Sequence, residues 1–415
     1  MILNFPGGIR PEERTRIGKR TIENINTCSA VCIEAHEGFG VVAKEGTTVK
    51  RGDLIGENAG TPVFASITGK FNGVAEVGGS NYFVIIGNGS EEEKKIFSPE
   101  SRRLTEMSEE DIVECAQKFG IVDSRSGRPL WEILEEAGSN CRRLVIDCTE
   151  CDPNSAINYR LCIEKTKSLV GGAKVLLRAT GALKCVFAAE HYRKAALTAI
   201  LGHASDEKLF AIAELDEKYP YTDRTLMYAL YVKPLERNET PLDHGVCIIG
   251  AETAVALYDS MLNGVPYIDR YVSLCGEGLP FGTNCKAPRG ITLRDLTEIC
   301  KIQKKNRILI ENSVLSGSLA KGALSDSARA VISVLPKNKI RTICISCGRC
   351  ADACPVRLIP SDVLAKDNDK LFKYCVSCGA CEYICPSGIP LMSLIKHKAL
   401  PKEESQNSAL PEVLL

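Results

Sequence analysis

Cys344-Ile-Ser-Cys-Gly-Arg-Cys-Ala-Asp-Ala-Cys-Pro355 recurs 31 residues later as Cys375-Val-Ser-Cys-Gly-Ala-Cys-Glu-Tyr-Ile-Cys-Pro386. Both copies read C-x2-C-x2-C-x3-C-P. Ser346/Ser377 and Gly348/Gly379 repeat at the same offset, so the segment is an internal duplication. Such spacing delivers three thiolates to one point and holds a fourth close by.

The whole chain has 20 cysteines in 415 residues, far above ordinary usage. Met1–Arg10 contains no apolar signal core, and a disulfide scaffold is expected in a short secreted chain. That leaves metal ligation and thiol redox chemistry. The duplicated spacing is the one that binds two [4Fe–4S] clusters, the fourth cysteine of each run crossing to the other cluster. Cluster one is therefore expected on Cys344, Cys347, Cys350 and Cys385, and cluster two on Cys375, Cys378, Cys381 and Cys354. Four-cysteine zinc sites are the alternative, but they usually pair two knuckles across a longer gap. Two adjacent clusters move single electrons, and their oxygen sensitivity points to a reducing or anaerobic cytoplasm.

The length suggests roughly two to four domains. Apolar residues at 44% and charged residues at 25% fit a globular chain. Lys+Arg 52 against Asp+Glu 52 argues against a general nucleic-acid binder, and no apolar run is long enough for a transmembrane span. A cytoplasmic location is expected, with peripheral membrane association left open.

Residues 1–97 alternate short strand-like runs with tight turns, as in 46–56 and 61–69, and look like a barrel-sandwich hybrid. No Met-Lys-Met-like carrier motif is present, and Lys70 merely follows a turn. Ser108-Glu-Glu-Asp111 has the form of a capping box opening a helix. Strand-like runs at 143–147, 174–178, 209–214 and 246–250 alternate with helical patterns at 154–169, 191–203 and 224–232. The alternation predicts a Rossmann-like α/β domain over 105–250, with ligands at the carboxyl ends of its strands. A ββα unit over 251–336, a ferredoxin-like module over 340–398 and a polar tail over 399–415 complete a multidomain α/β and α+β chain.

This order resembles the C subunit of the Rnf electron-transport complex. That RnfC-like family is related to the flavin- and NADH-binding subunit of respiratory complex I. Matching segments are Phe5-Pro-Gly-Gly-Ile-Arg-Pro11, Glu150-Cys-Asp-Pro153, Asn263-Gly-Val-Pro-Tyr-Ile-Asp-Arg270, Cys275-Gly-Glu277 and both cysteine runs. The resemblance implies a β-grasp-like (SLBB) unit at 251–336 and other Rnf complex subunits as partners.

One stretch departs from the family. Gly120-Ile-Val-Asp-Ser-Arg-Ser-Gly-Arg-Pro-Leu130 carries Asp123, Ser124, Arg125 and Ser126 where the family has a glycine-rich nucleotide loop. Glycine there admits positive φ and lets backbone N–H groups face phosphate. Lys218-Tyr-Pro-Tyr-Thr222 replaces a Tyr-Pro-Gln-Gly segment. No FMN or NADH site is transferred on this reading, FMN is not expected, and neither is independent NADH dehydrogenase activity. Kept clusters with a changed loop look most like Rnf-subunit-like proteins that deliver electrons to a reductase handling D-proline in anaerobic amino-acid fermentation. The alternatives are an Rnf-type NADH:ferredoxin oxidoreductase subunit and a non-catalytic iron–sulfur scaffold.

Cys148-Thr-Glu-Cys151 ends a predicted strand and precedes a predicted helix. A helix N-terminus favours thiolate, which makes Cys148 and Cys151 a candidate redox dithiol. Against this, Asp147 and Glu150 raise thiol pKa values, and free cysteines are commonly buried. The five histidines show no ligand spacing, and the 301–307 charge run reads as a solvated helix end.

Overall fold

The computed structural model describes residues 1–10, 17–77, 79–91, 107–205, 207–236, 238–276, 279, 282–301, 308–334, 342–364 and 374–399. Residues 302–307 of the charge run and 400–415 of the expected tail lie outside the described residues, as does Glu277 of the family-like segment.

The fold is a mixed α/β multidomain one. Its centre is a four-stranded parallel sheet in the order Phe210–Leu215, Lys184–Glu190, Arg143–Asp147, Val246–Gly250. In Arg143–Asp147 the side chains divide between two cores. Leu144 and Ile146 enter the larger one, whereas Val145 packs on the opposite face with Phe5, Leu215, Leu226 and Met227. A period of two thus buries both faces of a strand that reads as one apolar run. Ser108 begins the helix Glu109–Lys118 with the expected capping box, its hydroxyl accepting from Asp111.

The expected strand at 174–178 is instead part of the helix Thr166–Ala179. Leu169, Val170, Ala173, Leu176 and Ala179 are buried at helical spacing, and only a short window of that stripe looked strand-like. The real strand is Lys184–Glu190. Past the expected border at 250, Ala251–Asn263 continues the α/β domain as a helix. It packs so closely on Thr166–Ala179 that a Cβ on Gly172 would lie 1.9 Å from the Ala254 carbonyl oxygen.

Residues 30–87 form two small antiparallel sheets, one of four strands and one of three, around Val31, Ile33, Ile55, Phe71, Phe83 and Ile85. Lys70 lies within the strand Gly69–Val77, paired with Thr48 and Ile86 rather than at a hairpin tip. A six-stranded sheet gathers Thr283–Pro288, Asp269–Gly276, Ala330–Val334, Ile308–Glu311 and Ser318–Leu319, with Ile22–Asn24 added at its edge. The N-terminal segment therefore crosses the expected domain border. No helix among the described residues is long and apolar enough to cross a membrane.

Candidate electron-transfer site

The duplication in the sequence is also a duplication of backbone. Ser346 and Ser377 take φ of 54° and 51°, and Gly348 and Gly379 take 76° and 75°. Each glycine begins a short helix, Arg349–Asp352 or Ala380–Tyr383. The left-handed turn that a glycine accepts at little cost reverses the chain between the second and third cysteines.

Two cavities result. Cys344, Cys347, Cys350 and Cys385 line the first, and Cys354, Cys375, Cys378 and Cys381 line the second. Each is lined by three cysteines of one run and the last cysteine of the other. Burial pushes the Cys378 thiol up to about 12 and raises Cys354 and Cys381. Binding a metal cluster would require those protons to leave.

The cavities differ in surroundings. The second is seated against the body of the protein. Tyr219 donates its hydroxyl to the Cys378 carbonyl at 2.9 Å, Gly8 N–H donates to the Ala353 carbonyl at 3.1 Å, and Arg224 donates to the Tyr374 carbonyl at 3.1 Å. A Cβ on Gly379 would meet the Leu315 oxygen at 2.0 Å, whereas one on Gly348 would meet nothing within 4 Å. The first cavity lies outward, with Cys347 exposed and Ile343 and Ile345 at 87% and 66% exposure.

At the carboxyl edge of the parallel sheet lies a cleft whose lining includes the acids Glu150, Asp152, Glu190 and Glu217, the cations Arg193 and Lys218, and Tyr192 and Tyr219. Glu190 is buried, and its Oε1 accepts the Glu150 N–H at 3.0 Å. Its Oε2 lies 3.6 Å from Arg193 Nε as an ion pair. Burial raises the Glu190 carboxyl, against the opposing pull of Arg193. Sequence reasoning missed Glu190 and Arg193 because the first ends, and the second follows, a strand it had not located. Tyr219 stood in a segment noted only for its departure from the family.

The loop at 123–128 is closed on itself. Asp123 Oδ1 accepts from Gly250 N–H at 3.0 Å and Thr253 Oγ1 at 2.9 Å, and its Oδ2 accepts from Ser126 N–H at 3.0 Å. Ser124 N–H donates to Thr253 Oγ1 at 2.9 Å. Arg125 bridges Asp147 at 2.6 Å and Asp223 at 2.7 Å.

Cys148 and Cys151 each have a partner of their own. Cys148 is buried, and a hydrogen bond to Cys162 together with burial raises its thiol. Cys151 faces Ser155 at 3.9 Å, and burial pushes its thiol up to about 12. The following helix starts only at Ile157, and both thiols are raised rather than lowered. A histidine cluster that sequence spacing concealed brings Glu34, His36 and Asp326 together, with ligand atoms within 4.8 Å of one another. Asp326 there is already engaged by Arg289.

Residues 124–259 match the family model of the Nuo51 FMN-binding domain, and residues 343–389 match that of a 4Fe-4S dicluster domain. The chain is 23% identical over 390 residues to the C subunit of the proton-translocating ferredoxin:NAD(+) oxidoreductase complex of Clostridium ljungdahlii, covering 87% of this chain and 84% of that one. It is 23% identical over 349 residues to the C subunit of the Na(+)-translocating ferredoxin:NAD(+) oxidoreductase complex of Acetobacterium woodii, covering 78% and 76%. A solved NAD+-reducing [NiFe]-hydrogenase in the H2-reduced state aligns with a TM-score of 0.52 at 14% identity, over 77% of this chain and 70% of the other, a likeness of fold alone.

This chain is an iron–sulfur electron-transfer protein resembling the C subunit of Rnf complexes. The expectation that FMN is not bound is overturned by the match of residues 124–259 to an FMN-binding domain. That expectation rested on four loop residues, whereas the match extends across the α/β domain. The cleft has groups that fit a flavin nucleotide. Arg193 and Lys218 are cations and Tyr192 and Tyr219 are aromatic, whereas Glu150, Asp152, Glu190 and Glu217 bring negative charge to the same lining and Glu190 Oε2 already pairs with Arg193 at 3.6 Å. The 123–126 loop fits less well, because Asp123 already takes the backbone donors that a phosphate would use.

Proposed function

We propose that this chain is the C subunit of an Rnf-type ferredoxin:NAD+ oxidoreductase complex, passing single electrons between two [4Fe–4S] clusters and a flavin at the carboxyl edge of its parallel sheet. The observation that carries this reading is the pair of four-cysteine cavities, one of them joined through Tyr219 to the strand-end cleft. Cys344, Cys347, Cys350 and Cys385 would hold cluster one; Cys375, Cys378, Cys381 and Cys354 would hold cluster two. When bound, the clusters carry one electron at a time and the flavin joins them to two-electron chemistry. Arg193 and Lys218 would be the cations of the lining that meet an anionic cofactor, beside the carboxylates Glu150, Asp152, Glu190 and Glu217. On this reading residues 1–97 are a barrel-sandwich and 251–336 a β-grasp-like SLBB unit, and the chain works at the cytoplasmic face beside membrane-bound partners.

A second reading, electron delivery to a reductase such as D-proline reductase, draws support from one observation. Asp123 and Arg125 fill the loop where the phosphates of a dinucleotide would meet backbone, which suits a chain whose NADH step lies elsewhere.

Anaerobic purification with iron, sulfide and flavin assays tests both readings. The proposal expects about eight Fe and eight sulfide per chain, as two four-iron clusters require, together with FMN. NADH should then bleach the cluster absorption. Bleaching by dithionite but not by NADH favours the second reading, and stoichiometric zinc without sulfide removes both.

A further inference from the structure

We propose that Tyr219 is a positioning residue that couples the strand-end cleft to the cavity of Cys354, Cys375, Cys378 and Cys381 and makes the cluster held there easier to reduce than it would otherwise be. The inference rests on the iron–sulfur reading of the two cavities and adds a residue that neither cysteine spacing nor any comparison assigns.

Tyr219 is buried and lines the cleft on one side. Its hydroxyl lies 2.9 Å from the Cys378 carbonyl oxygen, 2.8 Å from Ser316 Oγ and 3.4 Å from Ser313 Oγ. The carbonyl can only accept, so the phenolic proton points to Cys378 while Ser316 is free to donate to the phenolic oxygen. Ser313 in turn donates to Asp152 Oδ2 at 3.0 Å, and Asp152 lines the same cleft. Ser313 and Tyr219 each have one hydroxyl proton, given to Asp152 and to Cys378, so Ser313 only packs against the phenol at 3.4 Å. Tyr219, itself part of the cleft lining, joins the cleft to the backbone of a cavity cysteine.

The duplication supplies an internal comparison. The counterpart of Cys378 is Cys347, which is exposed, and the turn that follows it has open space beside Gly348. The equivalent of Gly348 in the second run, Gly379, is pressed against Leu315. One backbone motif is thus placed in two environments, and Tyr219 marks the difference. A donor on the Cys378 carbonyl offsets the negative end of a peptide dipole beside the cavity. Less negative potential there favours the reduced, more negative state of a cluster, since hydrogen bonding and exposure set such potentials.

The test is an EPR-monitored redox titration of the anaerobically prepared full chain, wild type against Tyr219→Phe, with iron and sulfide measured on each sample. At unchanged iron, one of the two cluster signals should shift to lower potential, a fall of about tenfold in its reduction equilibrium, or about 59 mV for a one-electron couple. The shifted signal should be the one that Cys381→Ser abolishes, and the other should stay fixed. No shift, or equal shifts of both, at full iron content overturns the proposal. If Tyr219→Phe does not retain iron, Ser316→Ala carries the test. It keeps the ring and weakens the polarisation of the phenol, so the same signal should move in the same direction by a smaller amount, and an unmoved signal overturns the proposal. Wild-type protein without iron or sulfide refutes the iron–sulfur reading itself, an outcome distinct from unmoved potentials.

Discussion

Asp123 accepts the backbone N–H of Gly250 at 3.0 Å through Oδ1, across the mouth of the parallel sheet. Gly250 is the N-cap of Ala251–Asn263 and has no side chain to cap that helix itself. The carboxylate also accepts from Thr253 Oγ1 at 2.9 Å, so a residue distant in sequence caps the helix. A negative group at this end is favoured by the helix dipole and by unsatisfied N–H donors. Those same two features attract a phosphate to such a position.

Removing this carboxylate should have two opposed effects. Asp123→Ala leaves a buried donor without its partner and should lower unfolding free energy by about 1–3 kcal/mol, read from a denaturant titration. Asp123→Gly also clears the loop, and fluorescence titration with FMN should give tighter binding than wild type despite the lower stability. Unchanged or weaker FMN binding would show that Asp123 and the flavin phosphate do not compete for these donors.

Gly172 offers a packing test in the same domain. Its helix lies against Ala251–Asn263 with room for a hydrogen only, since a Cβ would come within 1.9 Å of the Ala254 oxygen. Alanine normally favours a helix interior over glycine by about 1 kcal/mol. Here overpacking, typically about 1–3 kcal/mol, should outweigh that gain. Gly172→Ala should therefore unfold at a lower denaturant concentration, and a rise in midpoint would mean that the two helices separate freely.

That helix also explains what could be read in advance. Cysteine spacing is local, and the duplicated turns at Ser346–Gly348 and Ser377–Gly379 are local as well. The 174–178 window was ambiguous because Val175, Leu176 and Leu177 suit a strand when taken alone. Only contact with a helix starting at Ala251 shows which side of Thr166–Ala179 is buried. Tyr219 and Glu190 were equally hidden, since their roles depend on groups 159 and 40 residues away in the chain, Cys378 and Glu150. The Asp123 loop was visible as a departure, but its meaning depended on Gly250 and Thr253.

The Arg289–Asp326 pair predicts an acid-sensitive contact between the N-terminal sheets and the six-stranded sheet. Arg289 Nε donates to Asp326 Oδ1 at 2.7 Å with both residues buried, and the Asp326 N–H donates to Glu34 at 3.0 Å. Burial alone would push the Asp326 carboxyl up, but Arg289 and Arg270 outweigh it and hold the group below its usual value of 3.8. A carboxyl lowered in the folded state stabilises the protein above the unfolded value and loses that contribution as pH falls through the folded one. Asp326→Asn should cost about 3–5 kcal/mol at pH 7 by leaving Arg289 buried without its counter-ion. The difference from wild type should shrink below about pH 4, where unfolding titrations at pH 7 and pH 3 would detect it. A difference independent of pH would exclude the ion pair as its source.

The crossing of the last cysteines is the sharpest test of the cavity assignment. Cys385 belongs by sequence to the second run but lines the cavity of Cys344, Cys347 and Cys350. Cys354 closes the first run but lines the cavity of Cys375, Cys378 and Cys381. Both exchanges follow from one feature, the short helix after each glycine, which carries the chain away from its own three thiols before the fourth cysteine arrives. Serine is a poorer iron ligand than thiolate, so each substitution should weaken one cluster. Cys385→Ser should therefore alter the same EPR signal as Cys347→Ser, and Cys354→Ser the same signal as Cys381→Ser. The environments add a second discriminator. The cavity containing exposed Cys347 should lose iron first to an external chelator, while the one seated on Tyr219 and Leu315 resists longer. If Cys385→Ser instead matches Cys381→Ser, each cluster is held by a single run and the crossed assignment is wrong. That result would also require the chain after the second short helix to follow a different path, because the Cys385 sulfur would have to leave one cavity for the other.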